Sequence, residues 1–401
     1  MDQPGEGQRE RLLWILSAAT FLIFFQTFMV APLIPRLSEV FGASAQTVGL
    51  IVPAYLLPYG AATLFYGPLS ERFGRGWIIL PSLLAFIALT ALTAAAFSPS
   101  TLIAIRLLAG LGASGVVPIA LALIGDLFPY AERGRPLGWL FAAMAGGMAF
   151  GSVGGVFLEP FIGWRGLFLG VAGLAVGVLI LLLMYRPLLQ GNTTEASVDY
   201  RQVAAGYLGL LASARGRRTY AYVLLNSVFH AGVFTWLGFY FSQRFELGAI
   251  GIGLGILGYG IPGFLFGPLI GRAADRWGRG RLLPAGLAIG GASAAALAAD
   301  VPVVAASLIV VSLSLGYDMT QPLLAGIVTN LAPNTGQAMG LNVFTLFTGF
   351  GLGSLVFSAA LVLGLTTALA LFGAVAVLAA VAAVPLFRAE VPDAASGEGR
   401  S

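Results

Sequence analysis

The stretch "GPLSERFGRG", from Gly67 to Gly76, sets one acid and two arginines between two long apolar segments. A related stretch, "GRAADRWGRG", runs from Gly271 to Gly280, 204 residues further along the chain. Glycines permit a tight turn and a close approach of two helices. The two stretches therefore predict a tight turn between two helices at the same place in each of two related halves.

The spacing of 204 residues also recurs outside these turns. Tyr55 corresponds to Tyr259, and "DLFP" at Asp126 corresponds to "NLAP" at Asn330. One constant offset over a long stretch indicates an internal duplication. Internal repeats with a site between them are typical of many secondary transporters.

The composition indicates that a lipid bilayer surrounds most of the chain. Of the 401 residues, 58% are apolar and only 9% are charged, whereas soluble domains carry about 25% charged residues. Apolar runs of about 20 residues, enough to cross a bilayer, fill nearly the whole sequence. We therefore predict an all-α integral membrane protein with twelve transmembrane helices. The predicted spans are residues 12–34, 47–66, 77–97, 102–127, 138–162, 166–185, 220–241, 250–270, 281–299, 302–331, 336–363 and 367–387.

The distribution of arginine predicts the orientation. With the N-terminus inside the cell, 17 arginines fall in cytoplasmic segments and three in outer segments, as the positive-inside rule requires. We expect a multi-pass protein of the cell inner (plasma) membrane with both termini in the cytoplasm. Because the arginines cluster at helix ends, the net charge of +4 does not indicate a nucleic-acid partner.

Residue types that the sequence lacks exclude several functions. There is no cysteine and no lysine, and the single histidine is His230. Cysteine and multi-histidine metal sites, a P-loop lysine and a Schiff-base lysine are therefore excluded. The sequence also has no set of nucleophile, base and metal ligands for catalysis. We predict that the protein is not an enzyme and binds no cofactor.

The spans divide the chain into three parts. Residues 1–185 are expected to form an N-terminal six-helix bundle, and residues 220–401 a C-terminal six-helix bundle with a short cytoplasmic tail. Residues 186–219 form a cytoplasmic linker, polar at first and mildly amphipathic around residues 203–211. The linker fits either a helix on the inner membrane surface or a disordered connection.

The whole chain resembles the major facilitator superfamily. The loop between the second and third helices of that family reads Gly-x-Leu-Ala-Asp-Arg-x-Gly-Arg-Arg, and residues 67–76 match it, with Glu71 for the aspartate and Gly76 for a basic residue. The resemblance implies the major facilitator fold: two pseudo-symmetric six-helix bundles in a monomer that rocks between two states. It also implies a charged latch, unless these residues only fix the topology. The implied latch residues are Glu71, Arg72, Arg75, Asp126, Arg133, Asp275, Arg276 and Arg279.

Two further motifs resemble those of proton antiporters in the family. Arg106, in "LIAIRLLAGLGASG", matches the helix-four motif, with Ala109 in place of the usual glutamine. The match implies a role in the transport path, whereas snorkelling of the arginine to the outer interface is the alternative. In helix five, "GMAFGSVGG" matches an exporter motif, with Ser152 in place of proline. The match implies that its glycines form a hinge, and the alternative is that these small residues only pack helices together. The glycines are Gly147, Gly151, Gly154 and Gly155.

Two ionisable residues lie deep in predicted spans, His230 in helix seven and Asp318 in helix ten. Ionisable residues inside a membrane are costly and mark functional sites, so we expect Asp318, with His230 sharing its proton, to couple proton movement to transport. A structural hydrogen-bonded pair is the alternative. The family's cavity is lined by helices one, four, seven and ten, which implies substrate contacts from their polar and aromatic residues. These are Gln26, Thr27, Phe28, Asn226, Trp236, Tyr317 and Gln321.

The remaining residues of these four helices are mainly Phe, Met, Leu and Ala, which suits an apolar or amphipathic substrate. The resemblance to the drug–proton antiporter branch implies proton-coupled efflux of small hydrophobic or amphipathic compounds by alternating access. The expected partners are a small-molecule substrate, protons and the lipid bilayer. Three alternatives stay open: a lipid or lysolipid exporter, a metabolite uniporter or importer, and a non-transporting membrane sensor.

Overall fold

The computed structural model describes residues 5–128, 134–189, 200–331 and 335–390, and these ranges are helical, with no strand among them. The helices are α1 (Glu6–Phe28), α2 (Ile34–Phe41), α3 (Ala45–Gly49), α4 (Ile51–Phe73), α5 (Arg75–Thr93), α6 (Pro99–Ala113), α7 (Val117–Leu127), α8 (Gly134–Met184), α9 (Tyr200–Ala212), α10 (Ala214–Phe245), α11 (Ala249–Ile256), α12 (Ile261–Trp277), α13 (Arg279–Ala298), α14 (Val303–Val328), α15 (Thr335–Ala360) and α16 (Leu365–Leu386).

The described helices account for twelve spans. Ten helical segments are long and apolar enough to cross a membrane. One of them, α8, is divided into two arms at Gly163, whose φ of 67° is not helical. The short helices α11 and α12 follow one another and supply the remaining span. The predicted all-α, twelve-helix architecture is therefore confirmed over the described residues.

The two quoted turns have the same backbone conformation. Gly74 has φ 93° and ψ 149°, and Gly278 has φ 83° and ψ 147°. Each glycine ends one helix and begins the next. A positive φ is strained for residues with a side chain, so the repeated glycines in the sequence correspond to a repeated turn. We call the end of the molecule that carries these turns the basic face.

The eighth span was predicted as one continuous helix over residues 250–270, and the structure differs from this prediction. It is broken between α11 and α12, and Gly260 adopts a left-handed conformation with φ 84°. Pro262 stands at the start of α12, where its missing N–H costs nothing because the first turn of a helix has no intrahelical acceptor for it. The break therefore lies where a flexible glycine precedes a residue that favours a helix start.

The helices form two halves, α1–α8 and α10–α16, with a shared apolar core. At the end of the molecule opposite the basic face, α10 packs against the first half. The α-carbon of Pro32 lies 3.0 Å from a Cβ built on Gly238, and the indole of Trp236 lies against Gly49. This end of the interface between the halves is therefore tightly closed.

The linker contains a helix, α9, and its predicted position on the inner membrane surface stays a prediction. Gln337, near the start of α15, donates from Nε2 to the carbonyl of Val203 at 2.7 Å. Leu210 packs in an apolar cluster with Tyr220 and Leu341 of the second half. The helix is thus held against the second half on the basic face.

Candidate functional site

Asp318 lies at the break in the eighth span. Its Oδ2 accepts a hydrogen bond from the Ser314 hydroxyl at 3.0 Å, and the same hydroxyl oxygen accepts from the N–H of Gly260 at 2.9 Å. The backbone of Gly263, in the first turn of α12, also bonds the carboxylate. A helix N-terminus has free N–H groups and a partial positive charge. The broken helix therefore presents its positive end to the one deeply placed acid predicted from the sequence.

His230 lies on another side of the same break. The hydroxyl of Tyr259, one of the break residues, is 2.7 Å from its Nε2, and the ring of Tyr317 stacks on it with a centroid distance of 3.6 Å. No described hydrogen bond or ion pair joins His230 to Asp318. The connection runs instead through Tyr259, Gly260 and Ser314.

A second polar group ties α10 to α14 one helical turn from His230. The Thr320 hydroxyl donates to Oδ1 of Asn226 at 3.0 Å. Nδ2 of Asn226 donates to Oε1 of Gln321 at 3.4 Å. The structure thus brings two predicted substrate contacts, Asn226 and Gln321, together, and Thr320, which was not predicted, bonds the same asparagine.

Aromatic rings from both halves meet between this site and the closed end of the molecule. The ring centroids of Phe28 and Phe234 are 5.7 Å apart, and Tyr59 stacks on Phe347 at 4.3 Å. Phe350 contacts Phe28 at 6.3 Å and His230 at 5.5 Å. We call this group, Phe28, Tyr59, Phe234, Phe347 and Phe350, the aromatic seam. It joins the halves and reaches the polar site through His230.

Trp236 lies apart from the other predicted substrate contacts. Its Nε1 donates to the carbonyl of Ser354 at 3.3 Å, and its six-membered ring lies against Gly49 of the first half. The side chain is 1% exposed. This geometry favours a role in closing the interface, and the predicted substrate contact stays a prediction.

Gln26 and Thr27, next to each other on α1, are buried, and their substrate contact stays a prediction. The Thr27 hydroxyl donates to the carbonyl of Ile23 at 2.7 Å. Neither amide atom of Gln26 has a hydrogen-bond partner among the described residues. Because both amide atoms are unpaired, Gln26 can still form hydrogen bonds inside the protein. Leaving a buried amide unpaired is costly.

Arg106 lies on α6 with its guanidinium over the ring of Tyr55, 4.1 Å from the centroid. Its Nε donates to the carbonyl of Ile51 at 3.4 Å. The residue is 1% exposed, and both its role in the transport path and the snorkelling alternative stay predictions. Within the described chain, Nη1 of Arg106 has no hydrogen-bond partner.

The predicted latch is described only in part. Arg75 bonds the Ser70 hydroxyl at 2.6 Å, Arg72 lies over Phe73, and Arg279 packs against Gly326 of α14. Arg276 is exposed. The side chains of Glu71, Asp126 and Asp275, and the whole of Arg133, lie outside the described part of the chain. The latch therefore stays a prediction.

The glycines of the helix-five motif lie against α1. A Cβ built on Gly147 would be 2.6 Å from the carbonyl oxygen of Phe21, and one on Gly151 would be 2.5 Å from that of Phe25. A Cβ built on Gly155 would be 2.8 Å from Cβ of Met29, and one on Gly154 would be 3.3 Å from the ring of Phe25. Close packing of the two helices is therefore present, and the hinge role stays a prediction.

Sequence reasoning missed the break itself and the residues that depend on it. Ser314, Tyr259 and Gly263 carry no charge and lie in apolar surroundings, so nothing marked them as site residues. The available signal was "GYGIP", from Gly258 to Pro262, which places two glycines just before a proline inside a predicted span. Such an interrupted span is a known sign of a transporter site.

Sequence comparison relates the chain to a known family. The sequence profile of the Major Facilitator Superfamily matches residues 16–258 and 245–400. A Streptomyces lividans chloramphenicol resistance protein is 27% identical, with 88% of this chain and 90% of that protein covered. The uncharacterized transporter YceJ of Bacillus subtilis (strain 168) is also 27% identical, with 85% and 87% covered.

Solved structures show the same fold at low sequence identity. A bacterial homolog of the human lysosomal transporter Spinster, solved in an inward-facing conformation, superposes with a TM-score of 0.74 at 16% identity, covering 98% of this chain and all of that one. A D-xylose–proton symporter superposes with a TM-score of 0.70 at 18% identity, covering 95% and 98%. The chain therefore belongs to the Major Facilitator Superfamily and is a multi-pass membrane transporter, not an enzyme.

Proposed function

We propose that the protein exports small hydrophobic or amphipathic compounds in exchange for protons, by alternating access. The observation that carries this proposal is the position of the Asp318 carboxylate at the N-terminus of α12, inside a broken span. Transporters of several folds bind substrate and coupling ions at discontinuous helices near the membrane midplane. Asp318 is the coupling group in this proposal, and His230 is its neighbour across the break.

The contacts of Asp318 give protonation a mechanical consequence. The ionised carboxylate accepts bonds from Ser314 and Gly263 and is favoured by the positive end of α12. Protonation removes the charge and weakens these contacts. The start of α12 also touches the first half, because a Cβ on Gly260 would lie 2.9 Å from Cβ of Ala149. A change at Asp318 is therefore transmitted to the interface between the halves.

The surroundings of the site support an apolar or amphipathic substrate. The aromatic seam supplies ring surfaces, and Asn226 with Gln321 supplies a small number of polar atoms. Binding sites of this kind combine apolar walls with a few polar groups that fix orientation. The relative named as a chloramphenicol resistance protein supports export of such compounds.

We propose that residues 1–185 and 220–401 are the two bodies that rock about this site, joined by the linker 186–219. The arginine distribution supports a cytoplasmic position for the basic face. Because α9 is bonded to α15, the helical part of the linker moves with the second body. Spin labels on the two bodies should change their separation when substrate is added, while labels on α9 and the second body should not.

The test is transport of radiolabelled chloramphenicol, as a neutral amphipathic probe, in liposomes with and without a pH gradient. Asp318→Asn should abolish the accumulation of chloramphenicol that the pH gradient drives. The variant should still exchange labelled for unlabelled chloramphenicol, since its neutral side chain mimics the protonated acid. Asp300→Asn is the matched control, because Asp300 is fully exposed and pairs with Arg244 near a helix end.

An Asp318→Asn protein that still accumulates chloramphenicol in response to the gradient would exclude Asp318 as the coupling group. His230→Gln would then be tested in the same assay. Absence of gradient-driven transport in the unmodified protein would count against proton-coupled export of this class of compound.

A further inference from the structure

Arg106 is a buried cation without a counterion in the described chain. Its side chain is 1% exposed, and the salt bridges of the described residues involve other arginines. Burying a charge without a partner costs several kcal/mol. One hydrogen bond of 3.4 Å to Ile51 and the face of Tyr55 offset only part of that cost, which leaves this position with unused capacity to bind an anion.

Buried polar groups continue from Arg106 through Tyr55 to α1. The hydroxyl of Tyr55 is fully buried, and the hydroxyl of Thr27 on α1 is its one polar contact among the described side chains. Gln26, beside Thr27 in the chain, is fully buried with both amide atoms unpaired. In proteins, the great majority of buried polar groups have a hydrogen-bond partner. The unpaired donors of Gln26 on α1 and Arg106 on α6 therefore indicate a site that is completed by something other than the chain.

Arg106 and Tyr55 form a rigid unit within the first half. A Cβ on Gly110, one turn after Arg106, would lie 2.1 Å from the carbonyl oxygen of Tyr55, so α6 and α4 are in direct backbone contact there. The ring of Tyr59, one turn after Tyr55, is instead stacked on Phe347 of the second half at 4.3 Å. When the halves separate at this end, Phe347 leaves while Arg106 and Tyr55 stay together.

We infer that Arg106 and Tyr55 form an anion subsite that opens when the aromatic seam parts, and that it takes the carboxylate of an amphipathic aromatic acid. A guanidinium binds a carboxylate through two parallel hydrogen bonds, the Tyr55 hydroxyl donates a third, and the exposed rings of the seam cover the apolar body. This inference rests on the proposed function, since it names the charge of the substrate that the exporter carries.

The test compares benzoate with benzamide, which has the same shape and no charge. Binding is measured by calorimetry on the full chain in lipid nanodiscs. Benzoate should bind at least roughly tenfold more tightly than benzamide, and Arg106→Gln should remove this preference, because a charged hydrogen bond contributes about tenfold or more. Tyr55→Phe, which keeps the ring beneath the guanidinium, should weaken benzoate alone by a few-fold.

Arg165→Gln is the matched control, since Arg165 bonds the carbonyls of Ala94 and Ala96 at the end of α5 and is not part of the subsite. A second readout is the distance between spin labels at Gln46 and Gln243, exposed positions on the two halves. Benzoate should widen this distance and benzamide should not, because a ligand shifts a protein toward the state that binds it.

Equal affinities for benzoate and benzamide, or a benzoate preference that survives Arg106→Gln and Tyr55→Phe, would overturn the inference. Gradient-driven chloramphenicol transport is measured independently, so that result would leave the proposed function unaffected. Conversely, a benzoate preference that depends on Arg106 supports the subsite even where no gradient-driven transport is measured.

Discussion

Gly49 of α3 and Trp236 of α10 meet across the two halves, and a Cβ built on Gly49 would lie 2.8 Å from Cη2 of the indole. Both residues are buried, and the Trp236 indole is fixed from its other side by the carbonyl of Ser354. At this contact the two halves are as close as side chain and backbone allow. A single added methyl group therefore has to displace one half from the other.

The first prediction concerns this contact. Gly49→Ala should shift the protein toward the state that is open opposite the basic face, because the alanine methyl cannot fit against Trp236. Spin labels at Gln46 and Gln243 measure the shift, and the absence of cysteine from the chain allows site-specific labelling. Gly173→Ala, whose added Cβ meets nothing within 4 Å, should leave the distance unchanged. Identical distance distributions for the two variants would exclude a closing role for this contact.

The second prediction concerns the broken span. Gly260→Ala should destabilise the protein by about 1–2 kcal/mol, the cost of a left-handed residue with a side chain, because Gly260 has φ 84°. Thermal unfolding in detergent measures this loss. Gly248→Ala is the control, because Gly248 has an extended backbone and open space around its Cβ. Equal unfolding temperatures for the two variants would show that the break does not need a glycine.

The third prediction separates two glycines of the helix-five motif. Gly151→Ala should cost about 1–3 kcal/mol, the usual penalty for overpacking, because its Cβ would lie 2.5 Å from the carbonyl oxygen of Phe25. Gly154→Ala should be close to neutral, since its nearest neighbour is a movable ring edge at 3.3 Å. Thermal unfolding measures both. The packing assignment fails if Gly154→Ala is the more damaging change.

The fourth prediction concerns pH and Glu390, which lies at the basic face outside the spans. Arg215 and Arg218 hydrogen-bond its carboxylate at 2.8 Å, and this pairing lowers the pKa of Glu390 below its ordinary value of 4.5. Because the folded-state pKa is depressed, the stabilisation is complete above the unfolded-state pKa and is lost as the pH falls through the folded-state value. Stability should therefore decrease on acidification below about pH 4.5.

Glu390→Gln should lower stability near neutral pH by about 1–2 kcal/mol, the usual contribution of a hydrogen bond to a charged group at a partly exposed site. It should also reduce the difference between the unfolding temperatures at pH 7 and pH 4. Melting curves of both proteins across this pH range measure the effect. An unchanged pH dependence in the variant would assign the acid sensitivity to other carboxylates.

Much of the fold could be predicted because its signals are local. A run of about 20 apolar residues is long enough to span a bilayer in any context, and a glycine between two helices permits the positive φ that a tight turn uses. The turns at Gly74 and Gly278 and the division of the chain into twelve spans follow from such signals. The depth of His230, Asp318 and Arg106 in their helices could be counted from the same boundaries.

The spans, the duplicated turns and the identity of the buried charges could be predicted, since each depends on residues that are close together in the chain. The contacts of those charges depend on residues that are far apart in the chain. Ser314 bonds Gly260 across 54 residues, Tyr259 reaches His230 across 29, and Trp236 covers Gly49 from the other half. Apolar helix surfaces resemble one another in sequence, so the choice of partner depends on how the helices pack in three dimensions.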